Sequence, residues 1–231
     1  MAIDVVMPAR NEAPTVAANV AVAVGCAHVR EVLVVDDGST DATGELASAA
    51  GAKVLRRDAP DGRGSKAHAM ELGVAASDAD AILFVDADCT GLTASHLDAI
   101  CEPFLAGEAE MSIGAFDYGS FWNRFVPWWP PLSGERIVGR WVFEAIPPEH
   151  RDGYTIEVRL NEVIAERGLR TTVQVMPGVF HRTKRMKHGR REGFRRTWEM
   201  YRELLGLLLP GRVRWRTYWF YLRGLTVVRP L

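Results

Sequence analysis

A chain of 231 residues, 48% hydrophobic and 25% charged, has an ordinary globular composition and enough length to bury a core. Its formal net charge of −1 excludes nucleic-acid binding driven by overall charge, yet residues 182–231 hold 14 of the 28 Lys and Arg and 3 of the 29 Asp and Glu. No run approaches the ~20 apolar residues of a spanning helix. Asp4 and Arg10 interrupt any signal-peptide pattern, and Cys26, Cys89 and Cys101 lack zinc spacing. These features predict reduced thiols in a cytoplasmic protein, peripheral on a membrane at most.

Residues 2–7 (AIDVVM) predict a short buried strand closed by Pro8, and residues 11–24 a helix. EVLVVDDGST repeats the strand pattern with an acidic end, after which Asp41 caps a helix that stops at Gly51. KVLRR is a weaker strand. The turn DGRGS leads into a helix over 66–76, and AILFVDADC predicts a long buried strand ending on Asp86 and Asp88. Alternating strands and helices imply an α/β fold whose parallel sheet carries helices on both faces. In such sheets ligands bind beyond the carboxyl ends of the strands, where residues 36–40, 62–64 and 86–88 fall.

MSIGAF is another strand, and FWNRFVPWWPPLSGER reads as a long loop or bent helix. IVGRWVFEAI has a helical pattern, GYTIEVRLNEVIAERG is a helix ended by Gly168, and LRTTVQVMPGVFH is a strand bent at Pro177-Gly178. From Glu192 onward two amphipathic, aromatic-rich helices are expected around Pro210-Gly211. The chain thus divides into one domain over 1–189 and a basic, helical C-terminal extension over 190–231.

Asp86-Ala87-Asp88 has two readings. Aspartate at a strand end is common as a turn or helix-cap residue. Paired carboxylates also suit Mg²⁺ or Mn²⁺, which take hard oxygen ligands and are often shared with substrate phosphates. So close together, two carboxylates repel unless a cation or hydrogen bonds relieve them.

Four segments, VVMPARNEA, VVDDGSTD, GRGSKAHAMELG and FVDADC, occur in the order found in nucleotide-sugar glycosyltransferases of the GT-A fold. The chain resembles family 2 of these enzymes over residues 2–115 and, more weakly, to about residue 189. The resemblance implies a Rossmann-like, mostly parallel sheet and a metal-dependent hexosyltransferase using a UDP- or GDP-hexose donor with Mg²⁺ or Mn²⁺. It implies a nucleoside wall of Pro8, Ala9, Arg10 and Glu12, base and ribose contacts from Asp36, Asp37 and Ser39, and diphosphate contacts from Arg63 or Lys66. Asp86 and Asp88 would hold the metal, with Asp88 essential to turnover.

PLSGER, GYTIE and GLRTTVQVMPGVFHR, in that order, are similar to segments of glucosyl-3-phosphoglycerate synthases and related retaining GT-A enzymes. That similarity implies Leu132, Ser133 and Gly134 at the donor sugar or acceptor, Tyr154 and Glu157 near the sugar, and His181 as a third metal ligand. Asp152 or Glu157 would serve as base if the enzyme inverts. If it retains, Glu157 holds the sugar or stabilises developing positive charge.

The acceptor is expected to be anionic, either a phosphorylated small molecule or a polyprenyl phosphate. Phe121, Trp122, Phe125, Trp128 and Trp129 would border its opening, and the basic residues at 181–187 would meet its charge. Basic residues beside Trp and Tyr suit a membrane interface, while packing on the body or a homodimer contact is equally compatible. Two rival readings are a nucleotidyltransferase making a nucleotide sugar and a non-catalytic, membrane-associated nucleotide-sugar-binding protein. The first needs a glycine-rich opening loop, which PARNEA lacks; the second is disfavoured by the intact set of Asp86, Asp88, Arg63 and His181.

Overall fold

β1 (Ile3–Ala9) and β2 (Glu31–Asp36) pair in parallel, and apolar residues on both faces of β1 place it in the middle of a sheet. Val5 and Met7 enter one core cluster while Val6 enters the other, the period-2 alternation of a strand buried on both sides. The computed structural model describes residues 1–58, 64–117, 133–151, 155–181, 219 and 226–228.

The elements continue with α1 (Val16–Val24) before β2, then α2 (Thr43–Ala49), β3 (Lys53–Arg56), α3 (Lys66–Ala76), β4 (Ala81–Phe84) and β5 (Cys89–Thr90). After these come α4 (Ala94–Leu105), β6 (Met111–Phe116), β7 (Arg136–Gly139), α5 (Arg140–Glu144), α6 (Ile156–Glu166), β8 (Thr171–Met176), β9 (Phe180–His181) and β10 (Thr226–Val228). The main sheet has the order β10-β8-β6-β7-β4-β1-β2-β3, and β5 pairs with β9 as a separate ribbon. Every neighbouring pair in the main sheet is parallel except the two made by β7. Residues of α1, α2 and α4 cover one face, and residues of α3, α5 and α6 the other. The expected α/β sheet with helices on both faces is present.

Several local expectations change. AILFVDADC holds the ladder only to Phe84; the Val85 amide still donates to the Val6 carbonyl at 3.3 Å, and Asp86–Asp88 then make a turn. The helix expected over 11–24 begins at Val16, because Asn11 takes a positive φ of 54° and the Glu12 carbonyl accepts the Thr15 and Val16 amides at 2.9 Å. The segment IVGRWVFEAI is not one helix. Ile137 and Val138 face opposite cores, so its first part is β7, antiparallel between β4 and β6, and the helix starts at Arg140. Helix α4, absent from the sequence reading, opens on a capping box of Thr93 and His96.

Within the C-terminal extension, Thr226–Val228 form a strand parallel to β8, which the helical reading of that segment did not include. β-branched residues in all three positions favour that state. Trp219 is helical; the rest of the two helices expected from Glu192, and the aromatic run at 121–129, lie outside the described residues. Among the described residues no helix is long and apolar enough to cross a membrane.

Candidate active site

β4, β1 and β2 are adjacent, so the segments leaving their carboxyl ends sit side by side. After β1, the Arg10 guanidinium donates to the Asp37 carbonyl at 3.1 Å and the Asn11 amide to Ser39 Oγ at 3.0 Å. Asn11 Oδ1 accepts the Thr40 amide at 2.8 Å, and the Glu12 amide donates to Thr43 Oγ1 at 2.8 Å. The first loop is thereby stitched to the second. Pro8 and Ala9 lie in register with Val35 and Asp36 at the end of that pair.

Asp36 and Asp37 are buried. Asp36 Oδ1 accepts the Ser39 amide at 2.9 Å, closing the turn. Asp37 pairs with Arg57, and its Oδ2 accepts the Ser65 amide at 2.6 Å. That last bond pulls the start of α3 over the β2 end and delivers Lys66 to the neighbouring acidic turn. Ser65 also caps α3, accepting the His68 amide.

Lys66 Nζ lies 2.6 Å from Asp86 Oδ1 and 2.8 Å from Glu157 Oε1, bridging the β4 end to the first turn of α6. Burial alone would lower the Lys66 pKa, but the two carboxylates outweigh it and hold the ammonium charged. Gly134 presses against the same place: a Cβ there would overlap the Asp86 carboxylate. The Asp86 and Asp88 carboxylates are hard oxygen donors of the kind Mg²⁺ and Mn²⁺ take, and Gly134, having no side chain, leaves the Asp86 oxygens their place.

The turn holding Asp86 and Asp88 is clamped from beneath by α1. The Ala87 carbonyl accepts Thr15 Oγ1 at 2.8 Å and Asn19 Nδ2 at 3.0 Å, and the same Asn19 amide reaches the Cys89 carbonyl at 3.0 Å. β5 then pairs with β9 so that His181 stands opposite Cys89, one residue beyond Asp88. Among the described residues no three His, Cys, Asp or Glu side chains gather into a ready metal cluster.

Two residues behind the site went unassigned by sequence. Glu135 and Arg136 are both wholly buried. Glu135 Oε2 accepts Ser133 Oγ at 2.6 Å, while its Oε1 accepts Cys89 Sγ at 2.9 Å and the Asp86 amide at 3.4 Å. Arg136 Nε donates to the Ser133 carbonyl at 2.9 Å, and its Nη1 reaches Asn161 Oδ1 at 2.9 Å and the Glu157 carbonyl at 3.3 Å. Burial, reinforced by the Glu135 and Asp86 charges, pushes the Cys89 thiol far above its usual range, so it stays protonated and donates. A buried charge pair inside PLSGER was the available signal, but charge in a sequence ordinarily means exposure.

Of the residues singled out by sequence, the structure brings together Lys66, Asp86, Ser133, Gly134 and Glu157, with Asp88 in the same turn. Arg10, Asp36, Asp37 and Ser39 form the adjoining wall, tied to Lys66 through Ser65. Arg63, Leu132, Asp152 and Tyr154 lie outside the described residues.

The chain is similar in sequence and fold to known proteins. Glucosyl-3-phosphoglycerate synthase of Mycobacterium tuberculosis is 29% identical over 191 residues, and the enzyme of Mycobacterium bovis matches equally. The alignment takes in 76% of this chain but 57% of each relative, so the chain spans little more than half their length. A crystal structure of the M. tuberculosis enzyme with Mn²⁺, UDP-glucose and phosphoglyceric acid superposes with a TM-score of 0.66 at 27% identity, covering 78% of this chain and 71% of that one. A second, with Mg²⁺ and UDP, gives 0.67 at 27% identity over the same shares. A third, with Mn²⁺, UDP-glucose and glycerol 3-phosphate, gives 0.66 at 26% identity, over 78% and 72%. The model of Glycosyl transferase family 2 matches residues 4–158, a stretch that runs from β1 through Lys66, Asp86 and Asp88 to Glu157, and the chain belongs to that family.

Proposed function

We propose that the protein transfers a hexose from a nucleoside-diphosphate sugar, UDP-glucose in the first instance, to a phosphorylated small-molecule acceptor, and that it requires Mg²⁺ or Mn²⁺. The observation that carries this reading is the Lys66 ammonium held between Asp86 and Glu157 at the carboxyl edge of the sheet. Relatives crystallised with UDP-glucose, a divalent cation and phosphoglyceric acid or glycerol 3-phosphate support the choice of donor and acceptor class.

A cation held by Asp86 and Asp88, with His181 as third ligand, would supply positive charge against the departing diphosphate. Lys66 adds a second positive charge on the same side. Glu157 offers a carboxylate to a sugar hydroxyl, and the Ser133–Gly134 backbone leaves room beside Asp86 because no side chain intervenes at Gly134. The Arg10 loop and the Asp36–Ser39 turn would line the nucleoside.

Thermal unfolding with UDP, GDP and their hexose conjugates, with and without Mn²⁺, tests the reading. A ligand at a hundred times its Kd stabilises by about 2.7 kcal/mol, roughly 5–10 °C for a chain of this size. The expected result is metal-dependent stabilisation by UDP and UDP-glucose, followed by glucose transfer to 3-phosphoglycerate. Asp88→Ala should abolish both while leaving the unliganded midpoint near that of the wild type. Absence of stabilisation across the panel refutes the proposal, and pyrophosphate release from UTP and a sugar 1-phosphate would replace it with nucleotidyl transfer.

A further inference from the structure

We infer that Glu135 is a positioning residue that fixes the Asp86–Asp88 turn and strengthens cation binding there; the inference rests on the nucleotide-sugar reading above. Its carboxylate is wholly buried, and burying such a charge is costly unless it is satisfied by hydrogen bonds. Three donors from separate parts of the site supply them: the Asp86 amide, the Cys89 thiol and the Ser133 hydroxyl. Two of these flank Asp88 in the chain, and the third leads into Gly134, which packs on the Asp86 carboxylate. One side chain therefore sets the separation between the acidic turn and the segment facing it.

The neighbouring Arg136 does the complementary task on the opposite face of β7, binding the Ser133 carbonyl to Asn161 and to the Glu157 carbonyl. Successive residues of a strand point to opposite faces. The pair thus locks the Ser133–Gly134 backbone from both sides, with Glu135 on the side of the metal carboxylates. Its negative charge also adds to theirs in a region of low dielectric, where it favours a bound cation. Groups that hold metal ligands in place typically change metal affinity by 10–100-fold when altered.

Glu135→Gln preserves size, keeps one oxygen for the Asp86 amide and offers an N–H to Ser133 Oγ, while removing the charge. Free Mn²⁺ is measured by electron paramagnetic resonance during titration of the full chain at saturating UDP, alongside unfolding midpoints in EDTA. The expected result is about tenfold weaker Mn²⁺ binding by the variant, with a midpoint close to the wild type. Mn²⁺ affinity within twofold of the wild type overturns the inference and leaves the nucleotide-sugar reading standing, whatever the midpoint does. If the wild type takes up no Mn²⁺ with UDP, that reading falls and this inference falls with it. Should Glu135→Gln fail to fold, Ser133→Ala replaces it, since it frees Oε2 without touching the charge: a threefold or greater loss of Mn²⁺ affinity supports the role, and an unchanged affinity overturns it.

Discussion

Gly134 matters through the atom it lacks. Its backbone runs against the Asp86 carboxylate so closely that any Cβ would overlap those oxygens. In Gly134→Ala the cheapest relief is rotation of Asp86, which breaks its 2.6 Å contact with Lys66. The expected outcome is at least a tenfold loss of UDP affinity in the presence of Mn²⁺, with a modest change in unfolding midpoint. Gly107→Ala is the control. Gly107 has a φ of +70° but nothing within 4 Å of a built Cβ, so the substitution meets backbone strain of about 1–2 kcal/mol without any clash. It should lower the midpoint and leave ligand affinity alone. Equal ligand affinities for the two variants would remove Gly134 from the site.

At the scale of elements, α4 carries a pH-sensitive start. Thr93 Oγ1 accepts the His96 amide, and His96 Nδ1 in return faces the Thr93 amide at 3.3 Å and its hydroxyl at 3.0 Å. A histidine here must present an unprotonated Nδ1 to accept the amide, and burial lowers its pKa from the ordinary value of 6.5. The folded state therefore takes up the proton less readily than the unfolded chain. Stability contributed by the cap is present above pH 6.5 and declines as the pH falls through the lowered pKa. An imidazolium at a helix N-terminus also opposes the macrodipole. Thr93→Ala should cost about 1 kcal/mol at neutral pH. His96→Glu keeps the acceptor and should flatten the midpoint between pH 5 and 7; an equally steep acid decline in that variant would assign the pH dependence elsewhere. This element also marks how far sequence could be followed. The span of α3 is legible because Ser65 and the glycine turn announce its start, and the acidic end of β4 is legible because apolar residues run straight into acids, although the strand stops at Phe84 and not at Cys89. β7 is not, since IVGRWVF satisfies a helical period and its strand state comes from β4 and β6 on either side. Glu135 and Arg136 were hidden for a different reason: their burial is a consequence of long-range packing, invisible in local pattern.

Across the whole molecule, acids are buried near both ends of the central strands, and the two ends are neutralised differently. Near the start of β1, Asp4 receives Arg30 Nε at 2.9 Å and Nη2 at 2.7 Å, with Ser77 Oγ at 2.6 Å. A planar guanidinium forked onto a carboxylate is a fixed structural pairing. At the opposite end, Asp86 and Glu157 share the Lys66 ammonium, a compact charge on a flexible stem that a metal ion can replace. Lys66→Met removes that shared charge and should destabilise the protein in EDTA. Loss of one partner from a buried pair costs about 3–5 kcal/mol; the side chains of Asp86 and Glu157 remain 16% and 9% exposed, so solvent reduces this to about 1–2 kcal/mol, a fall of roughly 2–8 °C. Saturating Mn²⁺ should then raise the midpoint more in Lys66→Met than in the wild type, because the metal no longer competes with an ammonium. Arg30→Met provides the contrast: it too should destabilise, but Mn²⁺ should restore none of the loss, since Asp4 lies at the other end of the sheet. Equal Mn²⁺ increments in wild type and Lys66→Met would show that Lys66 and the metal do not share those carboxylates.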